Sequence, residues 1–242
     1  MIGVFKQPCG IGDIFFLQKA ANLLLDRGQV HKILWPVNNE YSYIGDYIKT
    51  PGIEFLTMDI FFQKYPTLQD FWHSHGRIKK EDTIFFDFQS ADQVYINKKI
   101  MEAKCEVIGT THHDWQKYFN YERNDDREQK HLDKLNVEKG DEFIIINKRY
   151  GSLPNEVIFN DIKATVNGHG LKIIEVTCNK NTHLFDWGKC FELAKQIYTI
   201  DTSFNYLFDK LNLITVPNVW TRRKNDWSEI DYLFKNPFIK MN

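Results

Sequence analysis

The chain is poor in cysteine. Its 242 residues include four, Cys9, Cys105, Cys178 and Cys190, all far apart in sequence. No C-x-x-C pair occurs, which argues against a zinc knuckle and a dithiol redox motif, and a disulfide framework is not expected at this length. These thiols read as buried or incidental groups of a reducing cytoplasm. There is no excess of charge either: 31 basic against 32 acidic residues give a net charge of -1. That balance argues against a general nucleic-acid binder but leaves room for a small anion held by a few local cations. No apolar run approaches the roughly 20 residues that a membrane span needs. The N-terminus has no basic stretch followed by an apolar one, so a cytoplasmic chain without a leader is the expectation. Repeats and low-complexity segments are absent as well.

What is there is a core former. Hydrophobic residues make up 43% and aromatic residues 15%, with 19 Phe, 11 Tyr and 6 Trp. The length fits one large α/β unit or two lobes of about 110 residues each. Short apolar runs alternate with helical spacing. Gly3–Gln7, Lys32–Val37, Ile53–Leu56 and Thr83–Phe88 read as strands in the first half. Phe143–Asn147, Leu171–Val176, Tyr198–Ile200 and Leu213–Val216 do so in the second. Between them, helices are expected at Asp13–Asp26, Asn39–Lys49, Ile96–Lys104, Asp125–Leu135 and Pro154–Val166. Two more are expected after Asp186 and after Thr202 or Ser203 as caps. Such alternation predicts parallel sheets covered by helices, with ligands at the carboxyl ends of the strands. The charged run Asn124 to Glu128 marks a boundary, giving lobes 1–125 and 126–242.

Two segments between a strand and a helix carry candidate chemistry. The first is Gly10-Ile11-Gly12-Asp13. Gly10 and Gly12 allow close backbone approach to a bound group. Asp13 is placed either to cap the helix or to act as a general base. This is no dinucleotide fingerprint, because Phe15 stands where the third glycine belongs, and no P-loop lysine follows. The second is Asp201-Thr202-Ser203, whose hydroxyls cap a helix and whose donors suit a diphosphate. Lys148 and Arg149 follow the strand Phe143–Asn147 and can neutralise a leaving diphosphate. Glu175 and Thr177 end the next strand, where a nucleoside can be read. His73-Ser74-His75 and His112-His113-Asp114 invite a metal, but no third cluster has ligand spacing, and no H-E-x-x-H or D-x-D occurs. No metal is expected. Trp115, Tyr118 and Phe119 offer either a sugar-stacking surface or core packing.

Gly12-Asp13-Ile14 with Ala20, and Asp201-Thr202-Ser203 with Leu207, resemble the two signature segments of the lipopolysaccharide heptosyltransferase-like (family 9) glycosyltransferases. The resemblance implies a GT-B-like α/β fold, two Rossmann-like lobes with parallel sheets facing across a cleft. It implies Asp13 as the base toward an acceptor hydroxyl, and Asp201, Thr202 and Ser203 at the donor diphosphate. The chain departs from that pattern at Lys19, Ser203 and Tyr206, where the family has Pro, Gly and His. The expected activity is a metal-independent, inverting transfer from a nucleotide-sugar donor to a glycan or other hydroxyl acceptor, the donor being a co-substrate and no cofactor being required. The alternative is a non-catalytic nucleotide or sugar-nucleotide binding module. A nucleotide-dependent epimerase is disfavoured by the missing dinucleotide fingerprint.

Overall fold

The computed structural model describes residues 1–138, 140–148, 156–166, 170–221, 227–228 and 231–241. The chain divides into two compact units, Met1–Glu122 and Arg123–Asn242.

The first unit alternates strand and helix. β1 (Ile2–Lys6) leads into α1 (Ile11–Asp26), then β2 (Lys32–Val37), α2 (Ile44–Tyr47), β3 (Ile53–Thr57) and α3 (Met58–Lys64). β4 (Arg77–Lys80) and β5 (Thr83–Asp87) follow, then α4 (Ala91–Val94) and α5 (Ile100–Glu106). The sheet order is β3-β2-β1-β5-β4. β1, β2, β3 and β5 are parallel, as expected, but β4 runs antiparallel to β5. The reason is local: Glu81 takes a left-handed φ of 51°, and the Glu81-Asp82 turn folds the chain straight back. With one apolar residue, Ile78, the Arg-Ile-Lys-Lys run gives little strand signal.

β1, β2 and β5 are buried on both faces. Val4, Leu34, Leu56, Phe61 and Phe85 form one side of the core. On the other, Phe5 packs against Trp35, Phe86 and Phe88 at centroid distances of 4.9, 5.6 and 4.7 Å. α1 buries Ile14, Phe15, Phe16, Leu17, Ala20, Ala21 and Leu24. Phe15 stacks on Phe119 at 4.4 Å, and Phe16 meets Trp115 at 6.0 Å. Trp115 and Phe119 are therefore core residues, 1% and 0% exposed, and not a sugar platform. Each such aromatic contributes about 1.5–3 kcal/mol of burial.

The second unit contains α6 (Asp125–Lys134), β6 (Phe143–Asn147), α7 (Glu156–Val166), β7 (Lys172–Glu175), α8 (Gly188–Leu193), β8 (Gln196–Ile200), α9 (Ser203–Phe208), β9 (Asn218–Trp220) and β10 (Ile239–Met241). Its sheet, ordered β10-β9-β8-β6-β7, is parallel throughout. Ile144, Ile146, Tyr198, Ile200 and Trp220 pack against Ile162 and Val166 of α7. Two expectations fail here. The run Leu213–Val216 is not a strand: Ile214 is 72% exposed, and pairing begins only after Pro217, at β9. Asp186 does not cap a long helix. It sits in a 3-10 turn, Leu184–Trp187, accepting from the His183 N–H at 2.8 Å and pairing with Arg127 at 2.7 Å. Arg123 bridges Glu128 and Glu192, which anchors the start of this unit to α6 and α8.

Both sheets grow outward from their first strand and then return to its other side. The connection reverses between β1 and β5 in the first unit, and between β6 and β8 in the second. Crevices at the carboxyl ends of such strand pairs are where open α/β sheets bind ligands.

Candidate functional site

Polar side chains gather at both reversal points. In the first unit, β1 runs into a loop and then α1. Gly10, not Asp13, occupies the N-cap, with φ +80° and no side-chain cap bond. Its carbonyl accepts the first helical N–H, from Ile14, at 3.1 Å. The helix thus starts earlier than expected, and Asp13 lies inside its first turn. Position 10 favours glycine. The left-handed φ is strained for other residues, and a Cβ would collide with Oδ2 of Asp13.

Asp13 is held from below. Its Oδ1 lies 3.3 Å from Nζ of Lys104, and its Oδ2 accepts from Nε2 of Gln7 at 3.4 Å. Lys104 also donates to Oε1 of Gln7 at 2.6 Å, and Gln7 Nε2 donates to the Cys9 carbonyl at 2.6 Å. The Lys104 side chain is 6% exposed and that of Asp13 25% exposed, so the ion pair is buried on the lysine side and open on the carboxylate side. Nearby, burial and then the Asp13 charge push the Cys9 thiol up, which keeps it a poor nucleophile. Burial and Glu40 push the Tyr41 phenol up to about 12.

A second cluster crosses the same reversal point. Lys6, at the end of β1, and Asp87, at the end of β5, pair at 3.2 Å with side chains 9% and 3% exposed. Asp87 Oδ1 accepts the Ser90 N–H at 3.1 Å, and Lys6 also donates to the Ser74 carbonyl at 3.2 Å. Nδ1 of His75 stands 3.2 Å from Asp87 Oδ2, with the imidazole 60% exposed. Lys19 is absorbed structurally: it is buried, donates to the carbonyls of Thr111 and His113 at 2.7 and 2.5 Å, and has its pKa lowered by desolvation. Burial, and then His113, also lower the pKa of His112. Among the described residues, no group of three or more His, Cys, Asp or Glu is placed to hold a metal.

In the second unit, Asn147 ends β6 fully buried and donates from Nδ2 to Thr199 Oγ1 at 2.9 Å and to Thr202 Oγ1 at 3.2 Å. Thr202 is the N-cap of α9 and accepts the Phe204 N–H at 3.4 Å. Its oxygen therefore takes two donors, and its O–H proton is the hydrogen-bonding capacity left for a ligand. Asp201 is buried, with its N–H on the Trp220 carbonyl at 2.8 Å, while Ser203 opens α9 half-buried. Lys148 pairs with Glu175 at 2.6 Å across the ends of β6 and β7, so the cation assigned to a diphosphate and the carboxylate assigned to a nucleoside face each other. Thr177 is exposed, and its carbonyl accepts from the Trp187 indole at 3.2 Å. Arg149 lies outside the described residues. Sequence reasoning missed Gln7, Lys104, Asn147 and the Lys6–Asp87 pair; a polar or charged residue closing an apolar strand is the signal that marks three of them.

No protein-family model matches the chain, and no curated protein matches it. Solved structures do. A glycosyl transferase family 9 protein from Veillonella parvula aligns over 91% of this chain and 80% of its own, with 9% identity and a TM-score of 0.53. The E. coli ADP-heptose lps heptosyltransferase II aligns over 91% and 83%, with 10% identity and a TM-score of 0.53. At these identities the likeness is one of fold. The chain has the α/β fold of the heptosyltransferase-like, GT-B glycosyltransferases. Among the described residues, no helix is long and apolar enough to cross a membrane.

Proposed function

We propose that this protein is a glycosyltransferase that moves a sugar from a nucleotide-sugar donor to a hydroxyl acceptor, with inversion and without a metal. The observation that carries this reading is the Asp13 carboxylate, fixed by Lys104 and Gln7 at the β1/β5 reversal point of a fold shared with glycosyltransferases. In this reading the first unit handles the acceptor. Asp13 takes the proton of the attacking hydroxyl as its oxygen bonds to the anomeric carbon. The anomeric C–O bond to the donor breaks, and its electron pair leaves on the diphosphate. The second unit handles the donor. The Thr202 hydroxyl and the Lys148 ammonium, drawn from Glu175, meet the charge that develops on the departing diphosphate. Glu175 and Thr177 flank the nucleoside, and Asp201 and Ser203 complete the donor side.

A second reading, a binding module without turnover, is favoured by one feature: both oxygens of Asp13 already have protein partners. The test is a panel of nucleotide sugars scored by thermal shift, since a ligand of the folded state raises the melting temperature by mass action. Each binder is then assayed for release of nucleoside diphosphate with a panel of saccharide acceptors. Binding with release supports the transferase, binding without release the module, and no binding at all refutes both.

A further inference from the structure

The His75 imidazole belongs to no step described so far, yet its surroundings are built. Asp87 already has two strong donors, the Lys6 ammonium at 3.2 Å and the Ser90 N–H at 3.1 Å. As a structural ion pair it does not require His75. Lys6 also holds the Ser74 carbonyl, which fixes the backbone that carries the ring. A carboxylate beside an ammonium can only accept hydrogen bonds, so at 3.2 Å the ring nitrogen facing it must be the donor. The proton of the neutral imidazole then resides on Nδ1, and Nε2 carries a bare lone pair on a side chain that is 60% exposed. A carboxylate that sets the tautomer of an imidazole in this way is a device for presenting one nitrogen with defined polarity. It sits at the carboxyl end of β5, beside the end of β1. By strand alternation Lys6 and Asp87 lie on the Val4 and Phe85 face and Gln7, which holds Asp13, on the Phe5 face, so the two clusters flank the β1 and β5 ends from either face of the sheet.

We propose that His75 is a specificity-determining residue for the acceptor: its Nε2 accepts a hydrogen bond from a second hydroxyl of the acceptor sugar, one that does not react. Asp87 is the positioning residue that holds the ring in this tautomer, and Lys6 holds Asp87. The substrate class is a polyol with at least two hydroxyl groups. No bond is made or broken at His75. This inference rests on the glycosyltransferase reading and assigns a new contact within it.

Two measurements on the full chain decide it. Long-range 15N–1H spectra recorded at about pH 9, well above the ordinary imidazole value of about 6.5, with the ring assigned by His75→Ala, are expected to show Nδ1 protonated and Nε2 bare in the wild type, and the ordinary Nε2–H form in Asp87→Asn. A wild-type ring with its proton on Nε2 overturns the inference. In the second, transfer is assayed from the nucleotide sugar that most raises the melting temperature to a panel of methyl glycosides. His75→Ala, at an exposed position, is expected to raise the acceptor KM about tenfold while kcat changes much less, because a uniform binding contact is lost. An unchanged acceptor KM in His75→Ala overturns the inference and leaves the transferase standing. Failure of the wild type to release nucleoside diphosphate with any pair overturns both.

Discussion

Replacing Asp13 by Asn tests two roles of one side chain at once. Seen as a helix cap, the residue would tolerate the change at a cost of about 1 kcal/mol or less, because Asn caps as well as Asp. The structure gives a different figure. Asp13 is not the cap; it is the counter-ion of Lys104, whose side chain is 6% exposed. At 3.3 Å and an effective dielectric constant of about 20, the pair's Coulomb energy is about 5 kcal/mol. Much of that is returned. The substituted amide keeps an oxygen that can accept from Lys104, Gln7 Oε1 remains 2.6 Å from the ammonium, and Asp13 is 25% exposed to screening water. A net loss of about 1–3 kcal/mol remains, the cost of leaving a buried ammonium without its carboxylate. For a chain of this size that lowers the melting temperature by about 3–10 °C. Removing both charges, in Asp13→Asn with Lys104→Met, is expected to restore part of the loss, because no buried charge is then stranded. Sugar transfer follows another pattern. It falls about 100-fold or more in Asp13→Asn and does not recover in the double variant, since neither side chain can take the acceptor proton. The assays are differential scanning calorimetry and nucleoside diphosphate release on the same preparations. A melting temperature unchanged in Asp13→Asn, or a double variant whose loss is simply additive, refutes the ion-pair reasoning. Full transfer in Asp13→Asn refutes the base.

Three further outcomes follow from the geometry. Glu175→Gln keeps a polar side chain of the same size beside the nucleoside while removing the charge that competes for Lys148, so nucleoside diphosphate is expected to bind a few-fold more tightly by calorimetry; unchanged or weaker binding would show that the freed Lys148 charge does not serve the diphosphate. Asn147→Ala cuts the bonds to Thr199 and Thr202 and is expected to cost about 1–3 kcal/mol and to weaken nucleoside diphosphate binding, read by denaturation and titration; full stability would show that the two hydroxyls find other partners. His131 packs edge-on against Trp187 and has its pKa lowered by desolvation. The unfolded state therefore binds a proton more readily, and stability present above the ordinary histidine value of about 6.5 is lost as the pH falls below it. His131→Gln is expected to flatten the melting-temperature difference between about pH 7.5 and about pH 5.5, where His112, lowered in the same sense, supplies the remainder.

The elements with a continuous apolar run were legible in the sequence. Phe143–Asn147 and Lys32–Val37 form strands over the residues expected, because a strand buried on both faces needs no alternation to declare itself. β4, β9 and β10 were not, since short strands with one or two inward residues are formed by their neighbours and not by their own pattern. The same division runs through the candidate site. Gly10 and Thr202 stand out because chain breakers and hydroxyls announce a turn into a helix. Lys104 does not: it is one polar residue in an ordinary segment, and only folding brings it to Asp13. His75 was visible only as half of a His-Ser-His pair that suggested a metal; its pairing with Asp87 needs the fold. Lys19, which departs from the family pattern, acquires its meaning from two carbonyls on a distant loop.

Those tertiary links also set when the first unit can work. Lys104 reaches Gln7 across 97 positions, Lys19 reaches His113 across 94, and Lys6 reaches Asp87 across 81. The polar apparatus is thus tied between the opening residues of the unit and its closing ones. Closing such long loops is slow relative to forming helices and adjacent strands. During synthesis the N-terminal strand must wait, already made, until α5 and the loop beyond it leave the ribosome. For that interval Asp13 has Gln7 but lacks Lys104, while Lys6 waits only until Ser74 and Asp87 have emerged, and competence for chemistry arrives as one of the last events in the folding of this unit.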